Sequence, residues 1–111
     1  MPLVNISTSI NVRDKDKFLE KSSNLLSTLT CKPEDYVMVK LIDSISMSFA
    51  CSTSPCCFIE IKSIGSLNPS KMSSEFCEFI SHELCIPESR IYINFEDISP
   101  SMWGWNKKTF G

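Results

Sequence analysis

CKPEDYVMVKLID, residues 31–43, returns as CIPESRIYINFED at residues 85–97, an offset of 54. Cys, Pro and Glu coincide at the head of the two stretches and Asp at the tail, while Val37, Val39 and Leu41 fall on Ile91, Ile93 and Phe95. Apolar residues at every second position mark a half-buried strand, so each copy ends in a strand entered through a proline. The same offset sets Ser9 and Ile10 on Ser63 and Ile64, which carries the register back into a first strand. The chain reads as two copies of one unit, at roughly residues 2–50 and 56–104, inside a single domain spanning 1–111.

Each unit runs strand, helix, strand. Residues 3–10 and 57–64 are rich in β-branched and apolar residues with partial alternation, which suits strands. Phe18, Ser22, Leu25, Leu26 and Leu29 form one mostly apolar helical stripe, and Met72, Phe76, Phe79, Ile80 and Leu84 form its counterpart. Asp14 or Asp16 and Ser70 are the expected helix starts, Pro33 and Pro87 the expected stops, and GSLNPS at 65–70 a loop. A βαβ unit crosses over right-handed and leaves its two strands parallel. Two units side by side predict an α+β fold: a four-stranded mixed sheet with both helices on one face. On the opposite face Met38, Lys40, Ile42, Tyr92, Asn94 and Glu96 alternate with the inward set. That face is neither fully polar nor a core, and a ring of three such sheets would cover it.

With 111 residues, the chain has room for only a small core, which gains from further burial in an oligomer. The net charge of −2 and the scattered lysines argue against nucleic acid as a partner. No apolar run approaches a membrane span, so no membrane association is expected. Asn5, Ser7, Thr8 and Ser9 interrupt the N-terminal stretch too early for a signal peptide, which points to the cytoplasm. In that setting the six cysteines read as reduced thiols, mostly small buried hydrophobes. There is no CxxC and His82 is the single histidine, so no metal or other cofactor is expected.

Pro2 stands directly behind the initiator methionine. The ordinary reading is a small residue that permits removal of Met1. Removal would nevertheless leave a secondary amine at the chain start, and an ordinary terminal amine titrates near ~8. An apolar pocket or a neighbouring cation disfavours its charged form, and a drop of one or two units makes a base suited to neutral pH.

The pieces MP at the start, Lys32 and Pro33 followed by Tyr36, MSFA at 47–50, Pro55 and Cys56, SIG at 63–65, RIYINF at 90–95 and GWNKKTF at 104–110 occur in one order along the whole chain. In that order and spacing the sequence resembles the macrophage migration inhibitory factor family of the tautomerase superfamily. The resemblance implies a homotrimer of βαβ repeats with active sites between adjacent subunits. It implies loss of Met1, with Pro2 as the base for keto–enol tautomerisation of phenylpyruvate-like aromatic 2-oxo acids and of dopachrome. Lys32 matches the lysine that binds the substrate carboxylate, and the backbone of Ile64 the amide that assists it. Tyr92 and Asn94 match neighbouring-subunit residues that meet the aromatic end of the substrate, while Tyr36, Trp103, Trp105 and Phe110 fall at pocket-lining positions. The resemblance also implies export without a signal peptide and a cytokine-like role at a cell-surface receptor. The alternative is a non-catalytic receptor-binding trimer with a vestigial pocket.

The sequence departs from the family at three places, one being a receptor-binding Arg and Asp pair of which only Arg13 is near its position, the second falling around Asp43 or Ser44. Cys56 matches the first cysteine of a family CxxC, but Ile59 occupies the second position, so a dithiol reductase activity is not expected. Trp103 stands where a small aliphatic residue is commoner. Its ring either alters substrate fit or packs against Trp105, Phe110 or a neighbouring subunit.

Overall fold

Strand β1 (Pro2–Thr8) leads into helix α1 (Lys15–Thr30) and strand β2 (Met38–Ile42); β3 (Cys57–Ser63), α2 (Pro69–Leu84) and β4 (Ile91–Asp97) repeat the order. The computed structural model describes every residue from Met1 to Gly111. The four strands form one sheet in the order β2-β1-β3-β4, parallel within each unit and antiparallel where β1 meets β3. A short hairpin of β5 (Gly104–Trp105) and β6 (Lys108–Thr109) ends the chain. No helix is long and apolar enough to cross a membrane.

Both helices cover one face of the sheet, and the alternation explains why. Val4, Ile6, Ile59 and Ile61 are fully buried beneath Leu26, Phe76 and Ile80 of the helical stripes. Ser22 and Thr30 lie on the buried face of α1, yet their hydroxyls donate to the carbonyls of Phe18 (2.8 Å) and Leu26 (2.7 Å), which removes the cost of burying them. Met38, Lys40, Tyr92 and Asn94 lie on the open face, as their spacing predicts.

The helix ends differ from the sequence expectation. Asp14 does cap α1, accepting from the Lys17 amide at 3.1 Å, but α2 is capped by Asn68, with Pro69 as its first residue, and not by Ser70. Proline fits there because the first helical amide has no intrahelical acceptor. Nor do Pro33 and Pro87 stop the helices. Cys31 (φ 57°) and Cys85 (φ 56°) turn left-handed directly after the last helical residue, two residues before the prolines, and their amides donate to the Ser27 and Ser81 carbonyls. The prolines instead open the one-turn 3-10 segments Glu34–Tyr36 and Glu88–Arg90.

The repeat offset also changes along the chain. It is 54 through the helices and the 3-10 turns, but 55 across the first strands, where Leu3 pairs with Met38 as Phe58 pairs with Tyr92. The counterpart of Pro2 is therefore Cys57 and not Cys56, and Ser9 and Ile10 lie beyond the end of β1. A 54 offset would set inward Ile6 on outward Glu60, because a one-residue slip reverses the faces of a strand. The extra residue is taken up before α1, in the segment 9–14 as against 64–68 before α2.

Candidate active site

At the start of β1 an apolar cavity of about 530 Å³ opens beside Met1 and Pro2. Three elements build it. The sheet end supplies Pro2, the 3-10 turn before β2 supplies Tyr36, and the C-terminal segment folds back to add Trp103, Trp105 and Phe110. The segment is fixed by its own backbone: the Phe110 amide donates to the carbonyls of Pro100 (3.2 Å) and Trp103 (3.1 Å). Left-handed Asn106 and Lys107 make the tight turn between β5 and β6. The hairpin holds Trp105 stacked on Phe110, centroids 6.0 Å apart and rings 7° from parallel, and Tyr36 meets Trp105 edge-on at 6.1 Å. Trp103 lines the cavity outside that stack.

The terminal amine, here on Met1, is held below its ordinary value of 8.0, first by burial and then by the Lys32 ammonium. Lys32 itself does not line the cavity wall. Its backbone is fixed at the end of α1, where its amide donates to Ser27 (3.3 Å) and its carbonyl accepts the Ser27 hydroxyl. It acts on the chain start through its field.

Three other predicted residues lie apart from this cavity within one chain. Ile64 follows the last residue of β3 and does not reach the wall. Pro2 lies opposite Ser63, which lies opposite Asp97, so Tyr92 is five residues down β4 from that level and two strands across. Standard spacings put it about 17 Å along and about 10 Å across from Pro2, with Asn94 about 10 Å in each direction. Neither reaches its own chain's cavity. Tyr92 instead rests against Phe49, ring centroids 4.5 Å apart.

Sequence reasoning passed over Leu3, Asp35, Met38, Lys62, Ile98 and Met102, all of which line the cavity. The alternation of β3 held the signal for one of them: with Cys57, Ile59, Ile61 and Ser63 turned to the helices, Lys62 must face the open side beside Leu3. Ile98 and Met102 could not be found that way, since they follow the end of β4, where no strand alternation fixes their facing.

The thiols offer no dithiol centre. Cys56 and Cys57 are buried, as is Ile59 at the position a second cysteine would need. Burial pushes the Cys57 thiol up to about 12, which leaves it protonated at neutral pH.

Comparison with known proteins agrees with this architecture over the full length. The family model described as macrophage migration inhibitory factor matches residues 1–111. The chain is 36% identical over 115 residues to a macrophage migration inhibitory factor homolog of Brugia malayi, covering 100% of both. It is 34% identical over 115 residues to the macrophage migration inhibitory factor of Xenopus tropicalis, covering 99% of both. The crystal structure of a homologue from Prochlorococcus marinus superposes with a TM-score of 0.92 at 42% identity, covering 98% of this chain and 99% of that one. A mixed βαβ-repeat sheet, an apolar cavity at its N-terminal proline and a full-length match together assign the chain to the macrophage migration inhibitory factor family of the tautomerase superfamily.

Proposed function

We propose that the chain, once Met1 is removed, is a keto–enol tautomerase of phenylpyruvate-type acids and dopachrome, with Pro2 as its base. One observation carries this reading: the terminal amine lies at an aromatic-lined cavity, in surroundings that favour its neutral form. A neutral secondary amine at Pro2 takes the proton from the carbon next to the ketone. The electron pair moves to the ketone oxygen, and return of the proton to that oxygen gives the enol. No electrons are gained or lost overall, so a base and a cation for the acid suffice. Lys32, assisted by the Ile64 amide, is the carboxylate site in this reading, and Trp105 and Phe110 offer stacked rings for the aryl group.

Tyr92 and Asn94 enter the site only from a second copy, which the homotrimer supplies. The distance of both residues from their own cavity supports that arrangement, as does the mixed open face with Met38 and Tyr92 exposed. Cytoplasmic residence, with export that needs no signal peptide, and a receptor-binding role belong to the same proposal.

The test compares phenylpyruvate tautomerisation by two preparations, one shown by intact mass to begin at Pro2 and one retaining Met1, in which the Pro2 nitrogen is a non-basic amide. Activity confined to the first is expected. Equal activity in both removes Pro2 from the mechanism, and inactivity of both transfers the weight to a receptor-binding trimer with a vestigial pocket.

A further inference from the structure

Lys62 and Asp35 carry the only charged side chains on the cavity wall, so Lys62 is its only cationic side chain. Lys62 projects from β3 on the open side of the sheet, paired with Leu3 on one flank and Glu96 on the other. Its ammonium lies 3.5 Å from the Glu96 carboxylate, and both side chains are about half exposed, 44% and 53%. An ion pair that open is weak and exchangeable. An organic anion entering this mostly apolar cavity, whose one carboxylate is Asp35, loses hydration, and a cation on the wall offsets part of that loss.

We propose that Lys62 is a second anion-binding residue of this cavity, which meets the carboxylate of an aryl acid from the sheet side while Lys32 acts from the end of α1. Glu96 holds the ammonium at the wall in the absence of ligand and yields it to the incoming acid. The substrate class is thereby narrowed to aryl compounds bearing a free acid; their amides and esters bind without this contact. The inference rests on the same cavity as the tautomerase reading but does not depend on turnover.

The experiment titrates the full-length protein with 3-phenylpropanoate and, separately, 3-phenylpropanamide, following the fluorescence of Trp103 and Trp105. Lys62→Met is expected to weaken the acid about tenfold and leave the amide unchanged, while Glu96→Gln tightens the acid about threefold. The unchanged amide serves as the check that the cavity is intact. An acid affinity untouched by Lys62→Met, an equal loss for acid and amide, or no binding of the acid to the wild type overturns the proposal. Lys62-dependent binding without phenylpyruvate turnover sinks the tautomerase reading alone; turnover with Lys62-independent acid binding sinks this one alone.

Discussion

The guanidinium of Arg90 lies 5.3 Å from the centre of the Phe49 ring and donates to the Phe49 carbonyl at 3.0 Å. Its other nitrogens reach the carbonyls of Pro55 (2.9 Å), Ser52 (3.2 Å) and Ser54 (3.0 Å), so one side chain pins the linker between the two repeats. By the 54 offset Arg90 is the counterpart of Tyr36, which lines the cavity. The repeats thus differ in use at this position: Tyr36 lines a cavity at one end of the sheet, and Arg90 holds the linker at the other.

Replacing Arg90 with Ala leaves the Ser54 and Pro55 carbonyls to water, leaves those of Phe49 and Ser52 with only each other's backbone amides, and takes the cation from the Phe49 ring. We expect a loss of about 2 kcal/mol in urea unfolding, since hydrogen bonds to a charged donor exceed neutral ones and Arg supplies a planar fork. Arg90→Lys recovers less than half, because a single ammonium cannot span four acceptors. An unchanged midpoint for Arg90→Ala would show that the linker is held by other contacts.

Lys32 predicts a pH shift of known sign. In the proposed mechanism the surroundings that lower the terminal amine on Met1 act on the Pro2 amine once Met1 is lost, so the base is neutral at lower pH and activity rises with pH through its pKa. Lys32→Met removes the repulsion that helps lower it, so the acid limb of kcat/KM moves to higher pH. Burial is the larger cause and survives the substitution, so the shift stops short of the ordinary value of 8.0. A limb that stays in place, or moves to lower pH, contradicts the account.

The alternation in 37–42 and 91–96, read from sequence, assigned the faces of β2 and β4 correctly, because a strand's period of two is hard to mistake when one face is buried. The first strands misled, since Ser9–Ile10 and Ser63–Ile64 match by residue type while the backbone is offset by one more residue. Local identity could not reveal an insertion absorbed in a loop. The site divided in the same way: Pro2 and Tyr36 were legible from motif, whereas Lys62 needed the strand's facing to be followed to its end. Ile98 and Met102 depend on the path the chain takes after β4, which no strand period fixes.

Alkylation separates the cysteines by position. Cys31, Cys51 and Cys85 are exposed, whereas Cys56 and Cys57 are buried and the Cys57 thiol lies at about 12. Iodoacetamide on the native protein at neutral pH should label the first three within minutes and leave Cys57 unmodified until denaturant is added. Peptide mass spectrometry reads the order directly. Early labelling of Cys57 would mean that β3 opens at its start. Insulin reduction no faster than that of a Cys56→Ser variant completes the expectation.

Cys31 and Cys85 head the two matched stretches, and their positions give a conformational reason for the sites to be special. Both adopt the left-handed region at the end of a helix, which costs a residue with a Cβ about 1 kcal/mol and glycine almost nothing. Cys85→Gly should therefore stabilise the fold slightly, by at most about 0.5 kcal/mol once the greater freedom of glycine in the unfolded chain is counted. Cys85→Val should do the reverse, because a β-branched side chain tolerates positive φ least. Thermal or urea midpoints of the two variants bracket the wild type if the backbone angle governs the site. If Cys85→Gly destabilises, the thiol makes a contact worth more than the strain it imposes.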